Sequence, residues 1–376
     1  MTIIDEVRAR LVDGDAAALE AFWGGLRTPV IEPVDGSTDE MRATFFWRDA
    51  TAEAVVITIN RITESLDEGR MERIPGTDVW FRSFLLGADW RGSYTVLPLD
   101  AQGLSDIGER EPRWAMRIVR EQGRLDPRNP VAIRTHGGRA SVAEMPGAMP
   151  LPWPDRLATV RGAMSEHRLD HGRRVWVHRP AGDDGLTPRP VVILLDGEVW
   201  QDSADAASAV DALAEADGLH APYLVMVDAE GPRRMTDLSI DGGMSEEIVT
   251  RILPWVRDLL PISTDPADVI VSGESLGGLT ALKTAFDHPG IVGSAIAQSS
   301  SLWQHDMLER AASAAPVRLF LTAGSHEDRL VGENRALVAQ LEGSAHEHHY
   351  IEYNGGHDMA WWRGLWAEGV RHLLQR

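Results

Sequence analysis

Gly273-Glu274-Ser275-Leu276-Gly277 sets a serine between two glycines. At that spacing the hydroxyl can be lifted out of a sharp strand-to-helix bend, with the glycines relieving the crowded backbone. The run before it, Asp268-Val269-Ile270-Val271-Ser272, reads as a short buried strand, and Leu279-Thr280-Ala281-Leu282-Lys283-Thr284-Ala285 after it reads as a helix. The first amides of that helix would face an incoming carbonyl carbon and its oxygen. That is the chemistry of acyl transfer from an ester or amide.

A serine hydroxyl is a weak nucleophile at neutral pH and needs a base, itself steadied by an acid. With an elbow of this kind, the acid and then the histidine follow the serine along the chain. Gly355-Gly356-His357-Asp358 lies between the last expected strand and the last expected helix, so His357 is the expected base. The acid is expected after Val317-Arg318-Leu319-Phe320-Leu321, where both Glu327 and Asp328 fit and Glu333 is a weaker third. Two amides are needed to hold a developing oxyanion. Leu276 supplies one, and Gly197 or Glu198 in the loop Asp196-Gly197-Glu198-Val199-Trp200 supplies the other.

Other residues invite a reading. Trp200, Trp303, Trp361 and Trp362 fall near the expected catalytic loops; most such residues pack in cores, but one or two, with Trp200 and Trp303 the leading candidates, could stack on an aromatic ligand. Arg233 and Arg234 follow an apolar strand, where an anionic ligand could meet them. His346-Glu347-His348-His349 has metal-ligand types, but on a strand His349 faces away from the other two, so a solvated strand is the expected state and no resident metal is assigned.

These residues need a frame to position them. The 376 residues suggest two domains, and a 43% hydrophobic content is enough for large cores. A net charge of −20 argues against nucleic acid and against an anionic membrane as partners. There are no cysteines, the first residues lack the character of a signal peptide, and no run is long and apolar enough to cross a bilayer. The expectation is a cytoplasmic protein. After a polar helical start to about residue 30, short strands at 43–48, 54–59, 79–84 and 93–97, without long helices between them, suggest a small β-sandwich. Residues 125–154, rich in proline and glycine, read as the connection between domains. Beyond it strands alternate with helices, one of them spanning 245–260, which implies a mostly parallel sheet with helices on both faces.

The chain resembles the enterochelin (enterobactin) esterases, enzymes that open catecholate siderophore trilactones. In the catalytic half the resemblance rests on Leu194-Leu195-Asp196-Gly197-Glu198, Arg234-Met235-Thr236-Asp237-Leu238, the elbow, and Gly355-Gly356-His357-Asp358 followed by Trp362-Arg363. In the front half it rests on Phe46-Trp47-Arg48-Asp49, Asp126-Pro127-Arg128-Asn129-Pro130 and Ala143-Glu144-Met145-Pro146. It implies an immunoglobulin-like sandwich over residues 1–145 and an α/β-hydrolase domain over 146–376. It also implies Ser275 as nucleophile, His357 as base and Glu327 as acid, with a catecholate siderophore, ferric or iron-free, as the small-molecule partner. No cofactor is implied, since iron belongs to the substrate. A general carboxylesterase or acyltransferase acting on feruloyl or carbohydrate esters is the alternative on the same fold, and a non-catalytic siderophore binder is the alternative of another class.

Overall fold

A computed structural model describes residues 2–11, 16–151, 158–202, 205–304 and 307–375. Pro152 and Pro154 of the expected connection lie outside them. The chain divides into two compact units, Met1–Met149 with Asn354–Ala360, and Pro150–Tyr353 with Trp361–Arg376.

Among the described residues of the first unit, eight strands form two sheets: β1 (Val30–Pro33), β2 (Glu40–Arg48), β3 (Ala54–Ile59), β4 (Glu72–Arg73), β5 (Val79–Gly87), β6 (Arg91–Leu99), β7 (Ala132–Thr135) and β8 (Gly138–Glu144). The sheet orders are β1-β2-β5-β4 and β3-β6-β8-β7. Phe45, Trp47 and Trp80 from one sheet share a core with Val55, Ile57, Ile59, Tyr94 and Val96 from the other.

The four expected strands follow one another without a long helix between them, but two helices that the sequence reading does not include come after them, at Ala101–Gly108 and Pro112–Gln122. Asp100 caps the first by accepting from the Gly103 amide, and Pro112 begins the second. Their Ile107, Ala115 and Val119 cover Val56, Leu97 and Leu99, which explains why β3 is buried along its whole length. The segment 125–154 is also not a plain connection, because it contributes the β7–β8 hairpin. Its Asp126 is buried and accepts from Thr28 Oγ1 and from Tyr94 OH (2.8 Å), while Asn129 Nδ2 donates to Val142 O (2.7 Å). The residues that break periodicity there form a buried polar staple.

In the second unit the described strands are β9 (Ala163–Arg168), β10 (Arg174–Arg179), β11 (Val191–Leu194), β12 (Tyr223–Val227), β13 (Val269–Glu274), β14 (Ser294–Gln298), β15 (Arg318–Gly324) and β16 (Glu347–Tyr353). They form one sheet in the order β16-β15-β14-β13-β11-β12-β10-β9. From β16 to β12 neighbours are parallel, and β10 runs antiparallel to both β12 and β9. Every residue of β11, β12, β13 and β14 is buried, as in a parallel sheet covered on both faces. The helix expected over 245–260 is interrupted by a π turn at Ile248–Ile252. Pro254 has no amide to donate and its ring would press on the Thr250 carbonyl, so the chain widens there.

Candidate active site

Ser275 lies between β13 and the helix Leu276–Asp287 with φ 59° and ψ −116°. A non-glycine residue holds such a backbone only where its surroundings over-determine it. Here the Ser275 amide donates to Gln298 O (2.8 Å), and its carbonyl accepts from the amides of Ser301 (3.0 Å) and Leu279 (3.1 Å). The glycines are needed for space. A Cβ on Gly273 would lie 2.6 Å from the Gly277 carbonyl carbon, and one on Gly278 would lie 2.7 Å from Ser300 Oγ. The Ser275 hydroxyl is partly exposed and stands 3.1 Å from Ser301 Oγ.

The loop after β11 runs beside the start of this helix, since a Cβ on Gly277 would be 3.5 Å from Asp196 Oδ2. Asp196 adopts a left-handed backbone (φ 55°, ψ 38°). Gly197 follows with no room for a side chain, because a Cβ there would lie 2.5 Å from the Met226 carbonyl carbon. The buried Asp196 carboxylate is clamped by Arg234, Nε to Oδ1 at 2.5 Å and Nη2 to Oδ2 at 2.7 Å. Burial opposes the charge on Arg234, but Asp196, Glu274 and Glu198 outweigh it and hold the guanidinium above its ordinary pKa. Glu198 moves the other way for a carboxyl. Burial and the charges of Asp196 and Asp228 push it up, against its hydrogen bonds from the Ala229 amide and its own amide.

The two predicted acids separate clearly. Asp328 is exposed, whereas Glu327 is buried. Glu327 Oε1 accepts from Ser299 Oγ (2.6 Å), the Gly324 amide (2.9 Å) and Tyr353 OH (3.2 Å). Trp362 Nε1 in turn donates to Ser299 Oγ (2.9 Å), and Trp361 stacks on Tyr353 at 4.8 Å. Trp361 and Trp362 are among the tryptophans expected near the site, whereas Ser299, Ser301 and Tyr353 are not singled out by the sequence. The legible signal was the run Ser299-Ser300-Ser301 just past the end of a parallel strand.

His357 follows Tyr353 by four residues in the loop before the helix Met359–Leu374, and that loop belongs with the first unit. Asn60 Nδ2 donates to His357 O (2.9 Å). The buried Asp358 carboxylate accepts from the amides of Ser93 (2.5 Å) and Ala360 (2.9 Å). Gly356 is close-packed, as a Cβ would meet Asn60 Oδ1 at 2.4 Å.

The remaining candidates divide. Arg233 is exposed and pairs with Glu230 (2.8 Å) and Asp237 (3.5 Å), unlike the clamped Arg234. Trp303 is 47% exposed, whereas Trp200 is wholly buried, with Nε1 on the Glu274 carboxylate (3.2 Å) and its ring against Trp366. His346 is occupied structurally, accepting from the Val317 amide (3.2 Å) and donating to Ala311 O (2.8 Å), while His349 stacks on His372. In the second unit, Asp196, Arg233, Ser275, Ser301 and Glu327 all follow the carboxyl ends of parallel strands, the edge where such sheets gather ligands.

The chain is similar to known proteins over most of its length. Residues 42–154 match the family described as the N-terminal part of enterochelin esterase, and residues 166–373 match a putative esterase family. The iron(III) enterobactin esterase of Dickeya dadantii is 31% identical, with 97% of this chain and 95% of that protein covered. The iron(III) salmochelin esterase of Escherichia coli is 29% identical over 99% of this chain and 97% of its own length. Among solved structures, the enterobactin esterase of Shigella flexneri in the presence of enterobactin superposes with a TM-score of 0.80 at 28% identity, covering 94% of this chain and 97% of that one.

Proposed function

This chain belongs to the enterochelin esterase family, and we propose on that premise that it hydrolyses the ester bonds of a catecholate siderophore trilactone with Ser275 as nucleophile. The observation that carries the reading is the strained, partly exposed Ser275 at the carboxyl edge of the sheet, at the start of a helix whose first amides have no intrahelical acceptor.

In the proposed reaction Ser275 Oγ bonds to a lactone carbonyl carbon and its proton passes to His357. The carbonyl π pair moves to oxygen, where the Leu276 amide and the Gly197 or Glu198 amide stabilise it. Collapse expels the ring alkoxide, which takes the proton from His357. Water then repeats the sequence on the acyl-enzyme. Glu327 steadies the base, a reading supported by its burial and by its place in the turn just past Gly324, where β15 ends. His357 is assigned from its position in the chain after β16.

We read the catalytic unit as an α/β-hydrolase domain and the front unit as an immunoglobulin-like sandwich, with the division near 145–146. The parallel order with an elbow after β13, and two sheets over one core, support this. Three catecholates on one ring hold iron at high effective concentration, so opening the ring weakens the complex. A ferric tris-catecholate carries a charge of about −3, which an exposed arginine such as Arg233 would attract even on an acidic protein. Trp303 is the exposed ring available to stack on a catechol. Iron enters as part of the substrate. Labelling with a fluorophosphonate and mapping the adduct tests the assignment: the label should fall on Ser275, and an unlabelled Ser275 in an enzyme inactivated by the reagent would refute it.

A further inference from the structure

The strained elbow is fastened mainly to one short segment, residues 298–301. Gln298 takes the Ser275 amide proton, and the Ser301 amide donates to the Ser275 carbonyl. The side chain of Ser301 then returns to the same residue, with Oγ 3.1 Å from Ser275 Oγ. Ser301 is only 2% exposed, so water competes little for this contact. Two residues earlier, Ser299 has its own hydroxyl on Glu327 and receives Trp362. One tripeptide thus reaches the candidate acid at one end and the candidate nucleophile at the other.

We propose that Ser301 is a positioning residue for the nucleophile, its hydroxyl donating to Ser275 Oγ. This rests on the assignment of Ser275 above. A serine hydroxyl has one proton to give and two lone pairs to receive with. While Ser275 gives its proton to the base, a hydrogen bond accepted from Ser301 fixes its rotamer, so the remaining lone pair is aimed at the carbonyl carbon. The same bond strengthens as negative charge gathers on Ser275 Oγ during proton removal, because hydrogen bonds to charged acceptors are the stronger ones. Ser301 therefore acts through Ser275 on the chemical step and leaves substrate affinity alone.

The test compares Ser301→Ala, Ser301→Cys and Ser301→Thr with the parent protein. Three measurements are read: kcat and KM on the iron-free trilactone, the second-order rate of phosphonylation by a fluorophosphonate, and Tm. Ser301→Ala should lower kcat and the phosphonylation rate together by about tenfold, with KM unchanged, the size expected for losing one hydrogen bond. Ser301→Cys fills the site with a weak donor and should be slow in the same way, which keeps the test open should the alanine variant fold poorly. Ser301→Thr should recover most of both rates. Parent-like phosphonylation in the alanine or cysteine variant overturns the proposal, as does a threonine variant no faster than cysteine. Ser275→Ala separates the two claims: if it still hydrolyses the trilactone, the nucleophile assignment fails; if it is inactive while Ser301→Ala is fully active, only the role of Ser301 fails.

Discussion

Ser275 holds a backbone conformation that costs about 1–3 kcal/mol, and Ser299, beside it in the site, also has a positive φ of 47°. Both persist because main-chain hydrogen bonds surround them, so the expense of a displayed hydroxyl is met by packing around the elbow. Ser275→Ala leaves that backbone in place and removes only the hydroxyl. It should fold with a parent-like Tm and lose esterase turnover by about three orders of magnitude or more, measured as kcat on the iron-free trilactone. The acids call for a gentler change than truncation. Glu327→Ala would strand the donors of Ser299, Gly324 and Tyr353, at a cost of about 1–3 kcal/mol for a buried group left unpaired. Glu327→Gln keeps an acceptor oxygen for them and removes the charge. It should lower kcat at least tenfold more than Asp328→Asn does, and the opposite ranking would move the role to Asp328. In the sequence, elbow and chain order single out one serine and one histidine as candidates. Glu327 and Asp328 could not be separated that way, because adjacent carboxylates look alike until burial distinguishes them.

The elements around the site differ in how legible they were. The central strands β11 to β14 are continuous apolar runs and could be read directly, apart from ends that shift by a residue or two. β9 is almost wholly exposed and polar, so its sequence carries no alternation to detect. The β7–β8 hairpin was hidden by its glycines and by the staple residues before it. The helices at 101–108 and 112–122 carry only short capping signals, Asp100 and Pro112, between flanking strands. In the loop after β12, the two arginines were treated as a pair, and the structure divides their work. Arg233→Ala should raise KM for the ferric trilactone and leave a short nitrophenyl ester unchanged, with the difference shrinking in salt. Arg234→Ala should reduce stability by about 3–5 kcal/mol, because it removes the two-pronged guanidinium contact from the buried Asp196 carboxylate, and so lower Tm with any substrate. Glu198 yields a pH prediction. Its folded pKa is raised, so the folded state binds the proton more tightly than the unfolded state, and its ionisation subtracts stability as pH rises through the folded value. Glu198→Gln should therefore raise Tm at pH 7 and lose that advantage as the pH falls to the ordinary glutamate range.

At the scale of the whole molecule, the front unit includes the short segment Asn354–Ala360 that bears His357. Asn60 on the His357 carbonyl and the Ser93 amide on Asp358 fix the backbone of that segment. The front-half sequence is therefore tied to the residue proposed as base, which a separate sugar-binding module would not be. Asn60→Ala should lower kcat several-fold with little change in KM; an unchanged kcat would show that Gly356 packing and Asp358 suffice. This link was not legible in the sequence, since Asn60 and His357 are 297 positions apart and neither lies in a shared motif. Among the described residues no helix is long and apolar enough to cross a membrane. The central claim is that Ser275 opens catecholate trilactones, and mass spectrometry of the products tests it most directly. Incubation with iron-free and ferric trilactone, in parallel for the parent and Ser275→Ala, should give a linear product that has gained one water per ester cut with the parent alone. An unchanged trilactone with the parent protein, or the same hydrolysis by Ser275→Ala, would contradict the account.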